Sequence, residues 1–211
     1  MKRSLLLIAI IVLSSSAFSQ VYPGFRPTWY LSFGAGSQVY VGEYDKMAPI
    51  FQRITPAIDL SLGRWFTPSL GARIHYSGFN AKGATLSIHP YADEESFENG
   101  FYKESFEVTN IHVDFLFNYT QERRAYYANE GFQIIPFLGF GWVHSTKNGT
   151  SFSSDKIGAN TGVIGKVVLS KKTDFNTEIR AMLVNESFDG VTGGRWGEGM
   201  LTITLGFSFK L

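Results

Sequence analysis

The chain has 211 residues, of which 44% are hydrophobic and 18% are charged, and it contains no cysteine. The absence of thiols excludes a disulfide-bonded scaffold, a lipoprotein anchored through cysteine and a cysteine-ligated metal site. A formal net charge of +1, without a long basic run, argues against a nucleic-acid partner, because such proteins must neutralise phosphates. The length suits one domain.

The first 19 residues are predicted to be a secretory signal peptide. Two basic residues precede a continuous apolar stretch from Leu5 to Leu13, and the small residues Ala17 and Ser19 stand where a signal peptidase cuts. Residues 20–211 are then the predicted mature domain. After Leu13, no apolar run approaches the roughly 20 residues that a membrane-spanning helix needs. Any membrane insertion must therefore use strands.

Apolar and polar residues alternate with period two along most of the mature chain, which predicts β-strands. Eight strands are expected, over residues 29–41, 55–65, 70–79, 111–119, 132–145, 160–169, 175–183 and 201–211. The connections alternate between short or medium ones (66–69, 120–131, 170–174) and long ones (42–54, 80–109, 146–158, 185–199). An even strand number with short periplasmic turns and long outer loops is typical of outer-membrane barrels.

The polar face of the strands decides between a membrane barrel and a soluble, lipocalin-like barrel, which would show the same alternation. A water-facing surface would carry many Lys and Glu residues, whereas this face carries mainly glycine and small polar residues. The apolar face has aromatic residues near the strand ends, as in interfacial girdles: Trp29, Tyr76, Tyr119, Trp142, Phe175 and Phe209. We therefore predict an all-β, eight-stranded antiparallel up-and-down transmembrane β-barrel of the cell outer membrane, in contact with outer-membrane lipids and lipopolysaccharide.

The C-terminal strand carries a second signal. Thr204, Gly206, Phe209 and Leu211 follow one another with a polar residue, a glycine, an aromatic residue and a terminal hydrophobic residue. This arrangement resembles the C-terminal signal through which the barrel-assembly machinery recognises its substrates. Leu211 departs from the pattern, because an aromatic residue is more usual at that position. The alternative interpretation is an ordinary amphipathic last strand.

Four segments carry a resemblance to a known family: residues 38–46 (QVYVGEYDK), 63–68 (GRWFTP), 112–118 (HVDFLFN) and 136–142 (PFLGFGW). They resemble the N-terminal barrel of OmpA-type proteins of the Bacteroidota. The resemblance covers nearly all of the mature chain and implies the barrel fold. Members of that family often continue into a peptidoglycan-binding domain. This chain ends at the eighth strand, so attachment to the cell wall is not expected.

Charged residues on the inward face predict an ion network in the lumen. Its members are Asp59, Arg73, Asp114, Lys166, Glu178 and Arg180, and His75 and His112 are expected beside them as neutral residues. An eight-stranded barrel is just wide enough for side chains to fill, and buried charges must pair. We expect Lys166 to face Glu178 across the 170–174 turn, and Asp59 to face Arg73 across the 66–69 turn. A gated proton or ion path is the alternative to a purely structural network.

No catalytic residue, cofactor or metal site is predicted. The only candidate for a lipid-modifying enzyme is His144 beside Ser145, but neighbouring residues on a strand point to opposite faces. No third residue is evident to orient the imidazole. The longest loop is acidic and rich in aromatic residues, and contains Asp93, Glu94, Glu95, Glu98, Glu104 and Glu107 among Tyr91, Phe97, Phe101 and Tyr102. It matches no calcium-binding pattern and is expected to be solvated or to meet a partner.

The predicted function is therefore that of a structural or interaction protein of the outer membrane, with a lumen filled by side chains and no wide pore. The first alternative is an accessory barrel subunit of a larger outer-membrane complex for transport, secretion or assembly. A lipid-modifying outer-membrane enzyme is the less favoured alternative.

Overall fold

A computed structural model describes residues 25–42, 45, 48–86, 91–97, 100–123, 131–147, 153–185 and 198–211. The predicted signal peptide lies outside these residues. The strands are β1 (Thr28–Val41), β2 (Ile54–Trp65), β3 (Leu70–Thr85), β4 (Ala92–Ser96), β5 (Tyr102–Phe117), β6 (Phe132–Thr146), β7 (Ser153–Val168), β8 (Thr173–Val184) and β9 (Glu198–Lys210). Two short helices are described, α1 (Ile50–Arg53) and α2 (Tyr119–Arg123). Within the described ranges, no helix has the length and apolar character to cross a membrane.

The eight long strands close into an antiparallel barrel. Each pairs with its neighbours along the chain, β3 pairs directly with β5, and β1 closes the circle with β9. The short strand β4 pairs only with β5 and lies in the loop between β3 and β5. Closure removes the open strand edges that lipid cannot hydrogen-bond, and it confirms the predicted fold class.

The outer surface of the barrel is apolar. Phe115 is 60% exposed, and Leu205, in the middle of a long strand, is 54% exposed. Of the aromatic residues predicted to form girdles, Trp29, Tyr76, Tyr119, Trp142 and Phe209 are exposed. So large an apolar surface would be unstable in water and is stable in a bilayer.

Three strands extend at least six residues further than the sequence predicts. β3 continues to Thr85 and β5 begins at Tyr102, so the long loop predicted over 80–109 is wrong in its extent. β7 begins at Ser153, ahead of the predicted start at residue 160. These extensions lie at the long-loop end, where exposed positions such as Asn80, Glu107 and Asp155 are polar, so the apolar phase of the strands does not continue. At the other end, Tyr119 starts α2 and does not end a strand.

The two ends of the barrel differ. The short-turn end is formed by the turns at 66–69 and 169–172 and by α2, and the long-loop end is formed by the other connections. At the long-loop end β3 and β5 stay paired from Asn80 and Glu107 out to Thr85 and Tyr102. The described pairing of β3 with β2 stops at Gly78, and that of β5 with β6 stops at Glu107. In the described residues, the outer part of the β3–β5 hairpin is therefore paired with neither β2 nor β6.

Candidate functional site: the barrel interior

The interior of the barrel is layered along its axis. Towards the long-loop end lies an apolar plug of nine buried residues: Tyr40, Ala81, Tyr91, Phe106, Val108, Val143, Met182, Val184 and Met200. The middle holds the charged residues, and the short-turn end holds a cavity. In the plug, the Tyr91 ring stacks on Phe106 at 5.0 Å and the Tyr40 ring meets Phe106 edge-on at 5.2 Å.

Arg73 is the centre of the charged layer. Its Nε donates to Asp114 Oδ2 at 2.7 Å, and its two terminal nitrogens donate to the two carboxylate oxygens of Glu178 at 2.7 and 2.9 Å. The guanidinium also lies 4.7 Å from the centre of the Phe137 ring. Arg73 and Asp114 are direct cross-strand partners, whereas Glu178 reaches across from the opposite wall. The forked geometry makes these charge-assisted hydrogen bonds strong.

Arg180 links the other members. It donates from Nη2 to Asp59 Oδ1 at 2.8 Å, and from Nη1 to Glu178 Oε1 at 3.1 Å. Thr204 donates its hydroxyl to the second oxygen of Asp59 at 2.7 Å. Arg180 Nη1 also donates to Nε2 of His75 at 2.6 Å, which makes Nε2 an acceptor and therefore unprotonated. Five of the six predicted network residues thus lie in one connected group. We call this group the arginine network; its members are Asp59, Arg73, Asp114, Glu178 and Arg180.

Two histidines lie against this group as a stacked pair. The rings of His75 and His112 lie 4.7 Å apart at an angle of 20°, and Nδ1 of His112 donates to Asp114 Oδ1 at 2.6 Å. His75, His112 and Asp114 could offer donor atoms to a metal ion within 4.8 Å of one another. In stacked rings, however, the lone pairs lie in nearly parallel planes and do not converge. The arrangement fits an ion network better than a metal centre.

A glycine opposite Asp114 makes room for the network. Gly139 is the cross-strand partner of Asp114, and a methyl group on Gly139 would lie 2.0 Å from Asp114 Oδ1 and 2.5 Å from the carbonyl oxygen of Val113. Only a residue without a side chain fits there. The PFLGFGW segment therefore contains a glycine on which the network depends.

The predicted partner of Lys166 is wrong. Lys166 faces Asn176, and Glu178 faces Ile164, because the β7–β8 turn is centred on residue 171 and not on 172. Lys166 instead lies 3.6 Å from Asp174, apart from the arginine network. Asp59 likewise faces Ser77, not Arg73.

The cavity at the short-turn end has a volume of about 480 Å³. Phe25, Thr28, Pro68 and Gln121 line it from strand ends and turns, so it opens at this end of the barrel. The charged layer forms its floor. The sequence predicts small residues on the inner face of the barrel, but it does not predict the empty space between them.

The outer face carries a separate polar cluster near the long-loop end. His144 Nδ1 and Trp142 Nε1 both lie within hydrogen-bond distance of Asp155 Oδ1, at 2.9 and 2.8 Å. Asp155 is thus a third residue that orients the imidazole, which the sequence did not reveal. Ser145 is fully buried on the opposite face and pairs with Tyr91 at 3.0 Å. As predicted from strand geometry, His144 and Ser145 do not share a face.

The C-terminal residues have structural partners of their own. Gly206 faces Gly34 across the β1–β9 seam, and a methyl group on Gly206 would lie 2.1 Å from the carbonyl oxygen of Phe33. Thr204 bonds Asp59, whereas Phe209 and Leu211 are exposed. Their role as an assembly signal stays a prediction.

The acidic loop is only partly solvated. Tyr91 and Glu104 are buried, at 0% and 2% exposure, whereas Glu95 is exposed and pairs with Lys103 at 2.8 Å. Lys147 Nζ donates to Asp93 at 2.7 Å and to the carbonyl oxygens of Tyr91 and Ala92. Glu98 lies outside the described residues. These contacts hold β4 against the barrel.

Comparison with known proteins places the chain among outer-membrane proteins. No family model matches the chain. It is 26% identical over 193 residues to outer membrane protein 40 of Porphyromonas gingivalis, covering 87% of this chain and 47% of that protein. It is 27% identical over 156 residues to outer membrane protein 41 of the same organism, covering 72% of this chain and 37% of that protein. The chain thus spans less than half the length of these relatives.

The fold has a counterpart among solved structures. Neisserial surface protein A superposes with a TM-score of 0.60 at 10% identity, and the match covers 89% of this chain and all of that one. At such low identity the likeness concerns the fold alone. Together with the two relatives and the closed barrel, it shows that the chain is an outer-membrane protein with an eight-stranded, OmpA-like β-barrel, homologous to outer membrane proteins 40 and 41 of P. gingivalis.

Proposed function

We propose that the chain is a structural and interaction protein of the outer membrane that works through its surfaces and does not conduct solutes through its lumen. The observation that supports this is the two successive barriers in the interior. The apolar plug lies towards the long-loop end, and the arginine network crosses the middle. A wide pore would need both to rearrange, and each is held by buried contacts.

The long β3–β5 hairpin, paired out to Thr85 and Tyr102, supports an interaction role at the long-loop end. Lys147 anchors the adjoining β4 segment through three hydrogen bonds, and Tyr91 inserts its ring into the plug. A loop with such anchors presents a defined surface, which costs less conformational entropy on binding than a loose one. We expect this end to face the outside of the cell, because long loops of outer-membrane barrels do so.

Planar-bilayer recordings with the purified barrel test the closed lumen. The expected result is no stable conductance of porin size, and a persistent large pore would contradict the proposal. Purification in mild detergent tests how the surface is used. A stoichiometric large partner would make the chain an accessory subunit of a larger outer-membrane complex, whereas a lone barrel would indicate transient contacts.

A further inference from the structure

The cavity at the short-turn end contains a buried cation that has little compensation. Lys166 is 8% exposed and lines the cavity. Its ion-pair partner is Asp174, at 3.6 Å, but Lys210 binds the same carboxylate more closely, at 3.0 Å. Among the residues that the structure describes here, two ammonium groups therefore share one carboxylate, which leaves one excess positive charge beside the cavity.

The other charged residues of the cavity are already paired. Asp59, Arg73 and Glu178 form the floor, where each takes part in the hydrogen bonds of the arginine network. In that network three carboxylates face two guanidiniums, so its excess charge is negative. The floor therefore repels an anion, and the site of positive potential lies at Lys166 and Lys210.

The walls of the cavity are chemically divided. An apolar part consists of Tyr30, Leu116, Ile135 and Ile164, with Trp65 packed against them. Lys166 Nζ lies 5.4 Å from the centre of the Trp65 ring, so the cation and the apolar wall are adjacent. A volume of about 480 Å³ falls within the range of small-molecule sites.

From this arrangement we propose that the cavity binds a small amphipathic carboxylate. The carboxylate group lies against Lys166 and Lys210, and the apolar body lies against Trp65 and the aliphatic wall. Burial of the apolar body supplies affinity, and the charge-assisted hydrogen bonds to the ammonium groups supply selectivity for an anion. The site is open at the short-turn end and needs no opening of the plug.

The test is a calorimetric titration of the barrel in lipid nanodiscs with 2-naphthoate, using empty nanodiscs as the blank. Lys166→Gln should weaken naphthoate binding about tenfold, because it removes the excess charge. Asp174→Asn should strengthen binding, because it leaves two ammonium groups without a carboxylate. Opposite effects of two neighbouring substitutions separate ligand recognition from loss of folding, which would weaken binding in both variants.

Two controls complete the experiment. Lys103→Gln removes an ammonium group at the long-loop end and should leave naphthoate binding unchanged. The uncharged 2-naphthalenemethanol should bind weakly, and equally, to the parent barrel and to Lys166→Gln. Naphthoate binding that is the same in all variants, or no greater than to empty nanodiscs, would overturn the proposal. The planar-bilayer recordings test the closed lumen independently of this binding experiment.

Discussion

Replacement of Arg73 by methionine is expected to be the most destabilising change of a single charge in the lumen. It removes three hydrogen bonds of 2.7, 2.7 and 2.9 Å, leaving Asp114 with His112 and Glu178 with Arg180 as their remaining bonded partners in the network. The excess negative charge of the network rises from one to two. Breaking a buried pair by removing one partner costs about 3–5 kcal/mol of unfolding free energy.

A double-mutant cycle combines Arg73→Met with a second substitution, Glu178→Gln. By itself, Glu178→Gln gives the network equal numbers of positive and negative groups. The double variant Arg73→Met/Glu178→Gln restores an excess of one negative charge. We expect it to be about 2 kcal/mol more stable than the sum of the two single effects predicts. Urea unfolding in lipid vesicles, followed by tryptophan fluorescence and gel mobility, measures all four free energies.

The control for this cycle is the exposed pair Lys103–Glu95 at the long-loop end. Its side chains are 38% and 77% exposed, so Lys103→Met should cost less than about 1 kcal/mol. If the effects of Arg73→Met and Glu178→Gln add within about 0.5 kcal/mol, the two residues are not coupled. The interpretation of the charged layer as one network would then be wrong.

Three further predictions concern the faces and the orientation of the barrel. Leu205→Arg should lower the unfolding free energy in vesicles by about 2–4 kcal/mol, because residue 205 faces lipid. Leu205→Ser should also destabilise the barrel, whereas Thr204→Ser should not, because serine keeps the hydroxyl group that bonds Asp59. Equal effects of the two serine variants would contradict the assignment of faces. Gly139→Ala should cost about 1–3 kcal/mol in the same unfolding assay, since its methyl group would overlap Asp114, and an unchanged stability would contradict that contact. A tag at Glu95 should react with antibody on intact cells, and a tag at Lys172 should not. The reverse result would mean that the barrel has the opposite orientation in the membrane.

The side of the sheet on which each network residue lies could be predicted from the sequence, but not its partner. The side-chain period of a strand is two, so a shift of two residues leaves every side chain on the same face. Lys166 faces the lumen whether it lies opposite Asn176 or Glu178. The register depends on the turn, where Leu169 and Ser170 donate to the carbonyl oxygen of Thr173. Alternation contains no information about that geometry.

The apolar plug was missed for a different reason. Tyr91 comes from a loop, and Tyr40, Met182 and Met200 stand in positions where the pattern of small polar inward residues breaks down. In the lipid-spanning part, the outer face must be apolar and the inner face fits small or paired residues. Beyond it, both faces can be apolar when the inner one is covered by a loop. The pattern then loses the contrast from which a strand is recognised.

The cavity and the closed middle of the lumen follow from how far side chains reach at each level. At the level of Arg73, long side chains cross from opposite walls and meet. Nearer the short-turn end, Ser32 faces Ser208 and Gly34 faces Gly206 across the seam, and these residues are too short to reach the aliphatic wall opposite. The void is therefore lined by hydroxyl groups as well as by apolar groups. This contrast favours an amphipathic occupant over either a purely apolar one or water alone.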